Sequence, residues 1–129
     1  MPAAAKLEIM VVDDQKAMRS LIHSSLVEMG CRNIRECPDG QEALMELHIR
    51  PAHLVISDMT MPNMDGLGLL SAIRDNPQLR NTAFILLTSH GEVDLVKQAI
   101  ALGVNNYVRK PFSVADLRRK VEAVLGPLT

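Results

Sequence analysis

Aromatic side chains are nearly missing from this chain: there is no tryptophan, and Phe84, Phe112 and Tyr107 are the only rings of their kind in 129 residues. Surfaces that bind nucleic acid stack bases on such rings and surround them with basic charge. A formal net charge of −1 offers no such excess, which argues against a broad nucleic-acid surface, and no DNA binding is expected. Cysteine is scarce as well. Cys31 and Cys37 lie around a predicted strand in a chain without a secretory pattern, and are expected to be reduced and structural. No apolar run approaches the ~18 residues of a membrane span, and residues 1–6 lack the apolar stretch of a signal peptide. A cytoplasmic protein without membrane insertion is the expectation.

What remains is ordinary globular material, 47% apolar and 22% charged, enough for one core. One domain over 1–129 is predicted, its core running from about 7 to 125. Strand and helix alternate five times. Strands are expected over 7–12, 33–37, 54–56, 83–87 and around Tyr107 and Val108. The helix over 16–29 places Met18, Leu21, Ile22, Ser25, Leu26 and Met29 on one face, and Gly30 follows as a stop. After the turn Pro38-Asp39-Gly40 a second helix spans 41–49; a third ends near Asp75; a fourth covers about 92–102 before Gly103. The last, 113–125, opens on Ser113 as N-cap and turns Val114, Leu117, Val121, Val124 and Leu125 inward.

Five residues that carry chemistry follow the apolar runs: Asp13 and Asp14, then Asp58, Thr88 and Lys110. In a parallel sheet with crossover helices every strand points the same way, so residues ending different strands meet at one edge. Such an edge would set three carboxylates against one hydroxyl and one ammonium. At an effective dielectric near 20, two carboxylates about 4 Å apart repel by roughly 4 kcal/mol. Lys110 supplies one positive charge and leaves a formal excess of −2, which one Mg²⁺ would neutralise. Taken singly, each residue has a plain structural role: acids begin helices, and a lone lysine is usually solvated. The joint placement points to a functional site.

The doubled acid Asp13-Asp14, the run Val55-Ile56-Ser57-Asp58-Met59-Thr60-Met61-Pro62 with Met64-Asp65-Gly66, then Thr88-Ser89 and Lys110-Pro111-Phe112 resemble response-regulator receiver domains. The stand-alone CheY-like type is nearest, and the resemblance covers about 7–125. It implies a doubly wound (βα)5 flavodoxin-like three-layer sandwich with parallel strand order 2-1-3-4-5. It implies phosphorylation on Asp58 as nucleophile, with Lys110 and Thr88 as its catalytic companions. Mg²⁺, with Mn²⁺ as a substitute, would be held by Asp14 and Asp58, the carbonyl of Thr60, and Asp13 through water. Thr88 and Tyr107 would be the switch pair, and Thr60 and His90 would tune the lifetime of the phosphoryl group. A cis Lys110–Pro111 bond is also implied.

By the same resemblance the chain is a single-domain response regulator of a two-component pathway, in chemotaxis or a phosphorelay. It would not be an enzyme in the usual sense, but a phosphoacceptor switch that autophosphorylates and autodephosphorylates. Its partners would be a histidine kinase or histidine phosphotransfer protein and a downstream target, such as a flagellar switch protein, met through helix 4, strand 5 and helix 5. It would be a monomer or a weak phosphorylation-dependent dimer. Helix 4 carries Val93, Val96 and Ile100 on one stripe and Leu95, Ala99 and Leu102 on another. One helix cannot bury both against one sheet, and the second stripe is either a docking patch or the ordinary exposure of a Leu or two at a small helix end. Two alternatives stand beside this reading. One is a receiver-like interaction module independent of phosphorylation. The other is a haloacid-dehalogenase-type phosphotransferase, although that family wants a second acid where this chain has Thr60. Elsewhere, the four histidines form no HxxxH-type zinc pair, and Met59, Met61 and Met64 are read as adaptable packing. Arg118-Arg119-Lys120 is read as a solvated helix face.

Overall fold

A computed structural model describes residues 3–89 and 91–129. After a short 3₁₀ turn at Ala4–Lys6, which the sequence did not announce, strands and helices alternate. They are β1 (Glu8–Val12), α1 (Lys16–Glu28), β2 (Asn33–Cys37), α2 (Gly40–Ile49), β3 (Leu54–Asp58), α3 (Gly66–Asp75), β4 (Ala83–Thr88), α4 (Val93–Ala101), β5 (Asn106–Arg109) and α5 (Val114–Leu125). The five strands form one parallel sheet in the order β2-β1-β3-β4-β5. This is the doubly wound flavodoxin-like arrangement expected from the sequence.

Central strands of a parallel sheet are covered on both faces, and so read as continuous apolar runs. Residues 9–12 of β1 and all of β4 are buried. Alternate side chains feed two separate cores. Ile9, Val11, Leu54, Ile56, Ile85 and Leu87 meet Ile22 and Leu26 of α1 and Leu117 and Val121 of α5. Met10, Val12, Val55, Phe84 and Leu86 meet Ala43 and Leu47 of α2, Leu69, Leu70 and Ile73 of α3 and Ala99 of α4. Cys31 and Cys37 are free and buried in different cores, on opposite faces of the sheet. Burial pushes the Cys37 thiol up to about 11.

Two sequence expectations need correction. Leu21, assigned to the inner face of α1, is 49% exposed, because Ile22, Ser25 and Leu26 already fill the space over the sheet. On α4 the two stripes are reversed. Ala99 is buried, with Leu95 and Leu102 packed beside it, while Val93 and Ile100 of the first stripe stand in solvent.

Local chemistry fixes the loops at the carboxyl edge of the sheet. Asp39 caps α2 by accepting from the Glu42 amide, and Asp65 caps α3 by accepting from the Gly68 amide. Ser113 and Asp116 complete a reciprocal capping box on α5. The loop between β3 and α3 is pinned at several points. Asn63, at φ 65°, donates from Nδ2 to Asp39 Oδ2 over 2.9 Å, and the Gly40 amide donates to the Met64 carbonyl over 3.1 Å. Gly66 lies so close to β3 that an added Cβ would sit 2.3 Å from the Asp58 carbonyl oxygen. No side chain larger than hydrogen fits there without moving the backbone that presents Asp58.

At the opposite edge Arg74 of α3 gathers four acceptors: the carbonyls of Gly103, Arg80 and Thr82, and Asn105 Oδ1. The same Asn105 oxygen accepts from the Phe84 amide. One guanidinium therefore ties the entrance of β4 to the turn between α4 and β5.

Candidate functional site

The first requirement of a phosphoryl or metal site is that its charged groups converge. Parallel register achieves this here: Val12 pairs with Ser57, Asp58 with Leu87, and Thr88 with Arg109, so β1, β3, β4 and β5 end side by side. One carboxylate oxygen from each of Asp13, Asp14 and Asp58 lies within 4.8 Å of the others. Lys110 enters from the end of β5, its Nζ 3.0 Å from Asp58 Oδ1 and 3.7 Å from Asp13 Oδ2. The Lys110 amide also donates to the Thr88 carbonyl over 2.7 Å, and the Lys110–Pro111 bond is cis.

The three acids occupy different environments. Asp13 is fully buried; its Oδ1 accepts from the Gln15 amide over 2.9 Å, and its carbonyl accepts from Arg19 Nη1 over 2.7 Å. Its Oδ2 is buried without a hydrogen-bond partner. Desolvation pushes the Asp13 carboxyl above its ordinary value, and nearby Asp58 and Asp14 push the same way, against the Gln15 amide and Lys110. Asp14 is exposed and Asp58 half-buried. Asp58 Oδ1 accepts from the Met59 amide over 2.9 Å as well as from Lys110, so among the described residues the donors to this carboxylate fall on one oxygen.

These residues suit a hard divalent cation. The cluster is all oxygen, carries more negative charge than one lysine offsets, and holds a buried carboxylate oxygen that lacks a donor. Asp13, Asp14 and Asp58 are the side chains that could hold it.

The remaining expected residues lie around this centre. Thr88 is buried and its Oγ1 donates to the Val108 carbonyl over 3.4 Å. Tyr107 is 40% exposed on β5, with the Lys120 ammonium 5.4 Å from its ring centre. It lines a cavity of about 340 Å³ with Thr88, Val93, Val96, Ile100 and Arg109. Thr60 is exposed, and its hydroxyl donates to Glu92 Oε2 over 3.4 Å. His90 lies outside the described residues. Glu92 itself was not anticipated as a site neighbour. The pattern Ser89-x-x-Glu92 could have flagged it, since a Glu three residues after a Ser often turns back on that residue's amide.

The profile described as "Response regulator receiver domain" matches residues 9–122. The chain belongs to the response regulator receiver family. This receiver is 41% identical over 128 residues to the "Probable chemotaxis protein CheY" of Rhizobium etli, covering 99% of each chain. It is 35% identical over 118 residues to the "Chemotaxis protein CheY" of Pseudomonas aeruginosa, covering 92% of this chain and 95% of that one. The solved chemotaxis response regulator CheY4 of Vibrio cholerae superimposes with a TM-score of 0.84 at 26% identity, over 96% of this chain and 99% of the other. Receivers are generally phosphoacceptors, they bind Mg²⁺ in an acidic pocket, and those of CheY type interact with histidine kinases and downstream targets. Among the described residues of this receiver, no helix is long and apolar enough to cross a membrane.

Proposed function

We propose that this receiver is the phosphoacceptor of a two-component pathway and works as one domain, with Asp58 as the residue that takes the phosphoryl group. The observation that carries this reading is the placement of the Asp58 carboxylate against the Lys110 ammonium, inside a cluster of two further acids. Asp58 attacks phosphorus, one carboxylate O–P bond forms as the donor's N–P or O–P bond breaks, and the product is an aspartyl phosphate. The Met59 amide and Lys110 both bind Oδ1, which orients the carboxylate. Lys110, already 3.0 Å away, offsets charge on the phosphoryl oxygens as the transfer proceeds. A bound Mg²⁺, held by Asp13, Asp14, Asp58 and the Thr60 carbonyl, would supply neutralisation of the acids and of the transferring group.

Thr88 would then exchange its 3.4 Å bond to the Val108 carbonyl for a shorter one to the phosphoryl group. That shift would move the end of β4, and Tyr107 would turn inward beside it. The responsive surface is the α4–β5 cavity with its exposed Val93 and Ile100, continued by α5 through Lys120. The names of the relatives support a chemotaxis partner, fed by a histidine kinase or phosphotransfer protein.

The test is intact-mass analysis after incubation with acetyl phosphate, with and without Mg²⁺, on wild type and Asp58→Asn. A single phosphoryl adduct that needs both Mg²⁺ and Asp58 is the expected result. No adduct, under conditions where an established receiver reacts, would favour an interaction module independent of phosphorylation. Turnover of a generic phosphomonoester would favour a phosphotransferase.

A further inference from the structure

Glu92 makes hydrogen bonds to two neighbouring loops. Its Oε1 accepts from the Ser89 amide, in the loop that leaves β4 directly after Thr88. Its Oε2 accepts from the Thr60 hydroxyl, in the loop that leaves β3 two residues after Asp58. β3 and β4 are adjacent, with Asp58 in register with Leu87, so these loops stand side by side at the edge where the acids converge. A single carboxylate therefore spans from one to the other.

The first bond alone would be ordinary helix-end chemistry, a Glu returning to the amide three residues before it. Two observations go beyond that. Glu92 is itself the N-cap of α4, at φ −94° and ψ 31°, and its side chain makes no cap bond to the helix. Its second oxygen, which a purely local cap would leave to water, reaches a residue 32 positions away. The carboxylate thus serves a tertiary contact at the helix entrance.

We infer that Glu92 is a latch that clasps the β4–α4 loop to the β3–α3 loop while Asp58 is unmodified, and that phosphorylation releases it. The inference rests on the phosphoacceptor reading of Asp58. An aspartyl phosphate carries about 1.5 to 2 negative charges, where the carboxylate carried one, at a residue two positions from Thr60. That charge repels the Glu92 carboxylate, and its oxygens compete for the Ser89 amide and Thr60 hydroxyl. Releasing Glu92 frees the entrance of α4, the helix that borders the cavity holding Tyr107. Glu92 acts through the loops and is a positioning residue, not a catalytic one.

Charge and reach can be separated by substitution. Glu92→Asp keeps the charge and shortens the side chain by one methylene, so it cannot hold both partners; Glu92→Gln keeps the length and removes the charge. With acetyl phosphate and Mg²⁺, Glu92→Asp and Glu92→Ala are expected to form the adduct between about two- and tenfold faster than wild type, the range one net hydrogen bond commands. Glu92→Gln, with one carbonyl oxygen left to accept, falls between. In unmodified protein the Ser89 amide proton is expected to move upfield in Glu92→Asp relative to wild type. A wild-type rate in Glu92→Asp, or a Ser89 resonance identical in the two proteins, would overturn the latch. Absence of any adduct on wild type and all variants would instead remove the phosphoacceptor reading and the release step with it, while the Ser89 resonance decides the clasp on its own.

Discussion

Replacing Asp13 by asparagine should make the metal-free protein more stable, although it removes an ion-pair partner from the half-buried Lys110. At 3.7 Å and an effective dielectric of about 20, Lys110 attracts Asp13 by roughly 4.5 kcal/mol. Asp58, with a carboxylate oxygen at most 4.8 Å away, repels it by roughly 3.5 kcal/mol or more on the same scale. The two nearly offset each other. Repulsion from exposed Asp14 is screened by water. What decides the sign is burial: Asp13 is fully inaccessible, and its Oδ2 has no donor. Asparagine keeps an oxygen for the Gln15 amide and lets Lys110 keep Asp58, but it turns an amide nitrogen toward the ammonium. A net gain of about 1–2 kcal/mol is expected at pH 7 in EDTA, enough to raise Tm by several degrees. The pH dependence has a definite sign. Because the folded-state carboxyl is raised above 3.8, the native state binds the extra proton, and wild type loses stability as pH rises from that value through the folded one. The advantage of Asp13→Asn should therefore be small near pH 4 and complete at neutral pH. Mg²⁺ should raise the Tm of wild type more than that of the variant, since binding to the native state stabilises by mass action. Urea or thermal unfolding in EDTA showing the variant no more stable than wild type at pH 7 would refute the reasoning.

Three further outcomes are expected. Gly66→Ala should destabilise by at least about 2 kcal/mol in a denaturant titration and slow adduct formation, because its Cβ would strike the Asp58 carbonyl that β3 presents. Arg74→Ala should lose about 2–4 kcal/mol, leaving four acceptors at the lower edge without their shared donor, while adduct formation in the surviving folded fraction proceeds at the wild-type rate. Tyr107 is the sole tyrosine in a chain without tryptophan, so intrinsic fluorescence reports one residue. Its emission should change on addition of acetyl phosphate and Mg²⁺ in wild type but not in Asp58→Asn, and an unchanged signal on fully phosphorylated protein would argue against Tyr107 as part of the switch.

Much of the fold was legible because punctuation and periodicity agree. Gly30, Gly103, the Pro38-Asp39-Gly40 turn and Ser113 mark element ends, and the structure places those ends within a residue or two. The convergence of Asp13, Asp14, Asp58 and Lys110 follows from strand direction alone, which a sequence of alternating strands and helices reveals. The stripes of α4 were less tractable. Periodicity shows that a helix has two apolar faces, but which one meets the sheet depends on the path of the turn after Ala101. There the Val104 amide bonds back to the Ala99 carbonyl and brings Ala99 inward. Leu21 illustrates the same limit, since a helical face is wider than the strip of sheet beneath it. Glu92 and Arg74 act through contacts made across 32 and up to 31 positions, and spacing along a sequence carries no record of such meetings.

The acid pocket takes one or more residues from the ends of β1, β3 and β5, with β4 running between the last two. No contiguous segment contains it, and no hairpin or single βα unit can rehearse it before the sheet closes. The ability to accept a phosphoryl group would then be an all-or-none reporter of assembly. After dilution from denaturant, the yield of adduct against time would count molecules whose edge strand β5 has docked. It would do so even where helical signals have already reached their final amplitude.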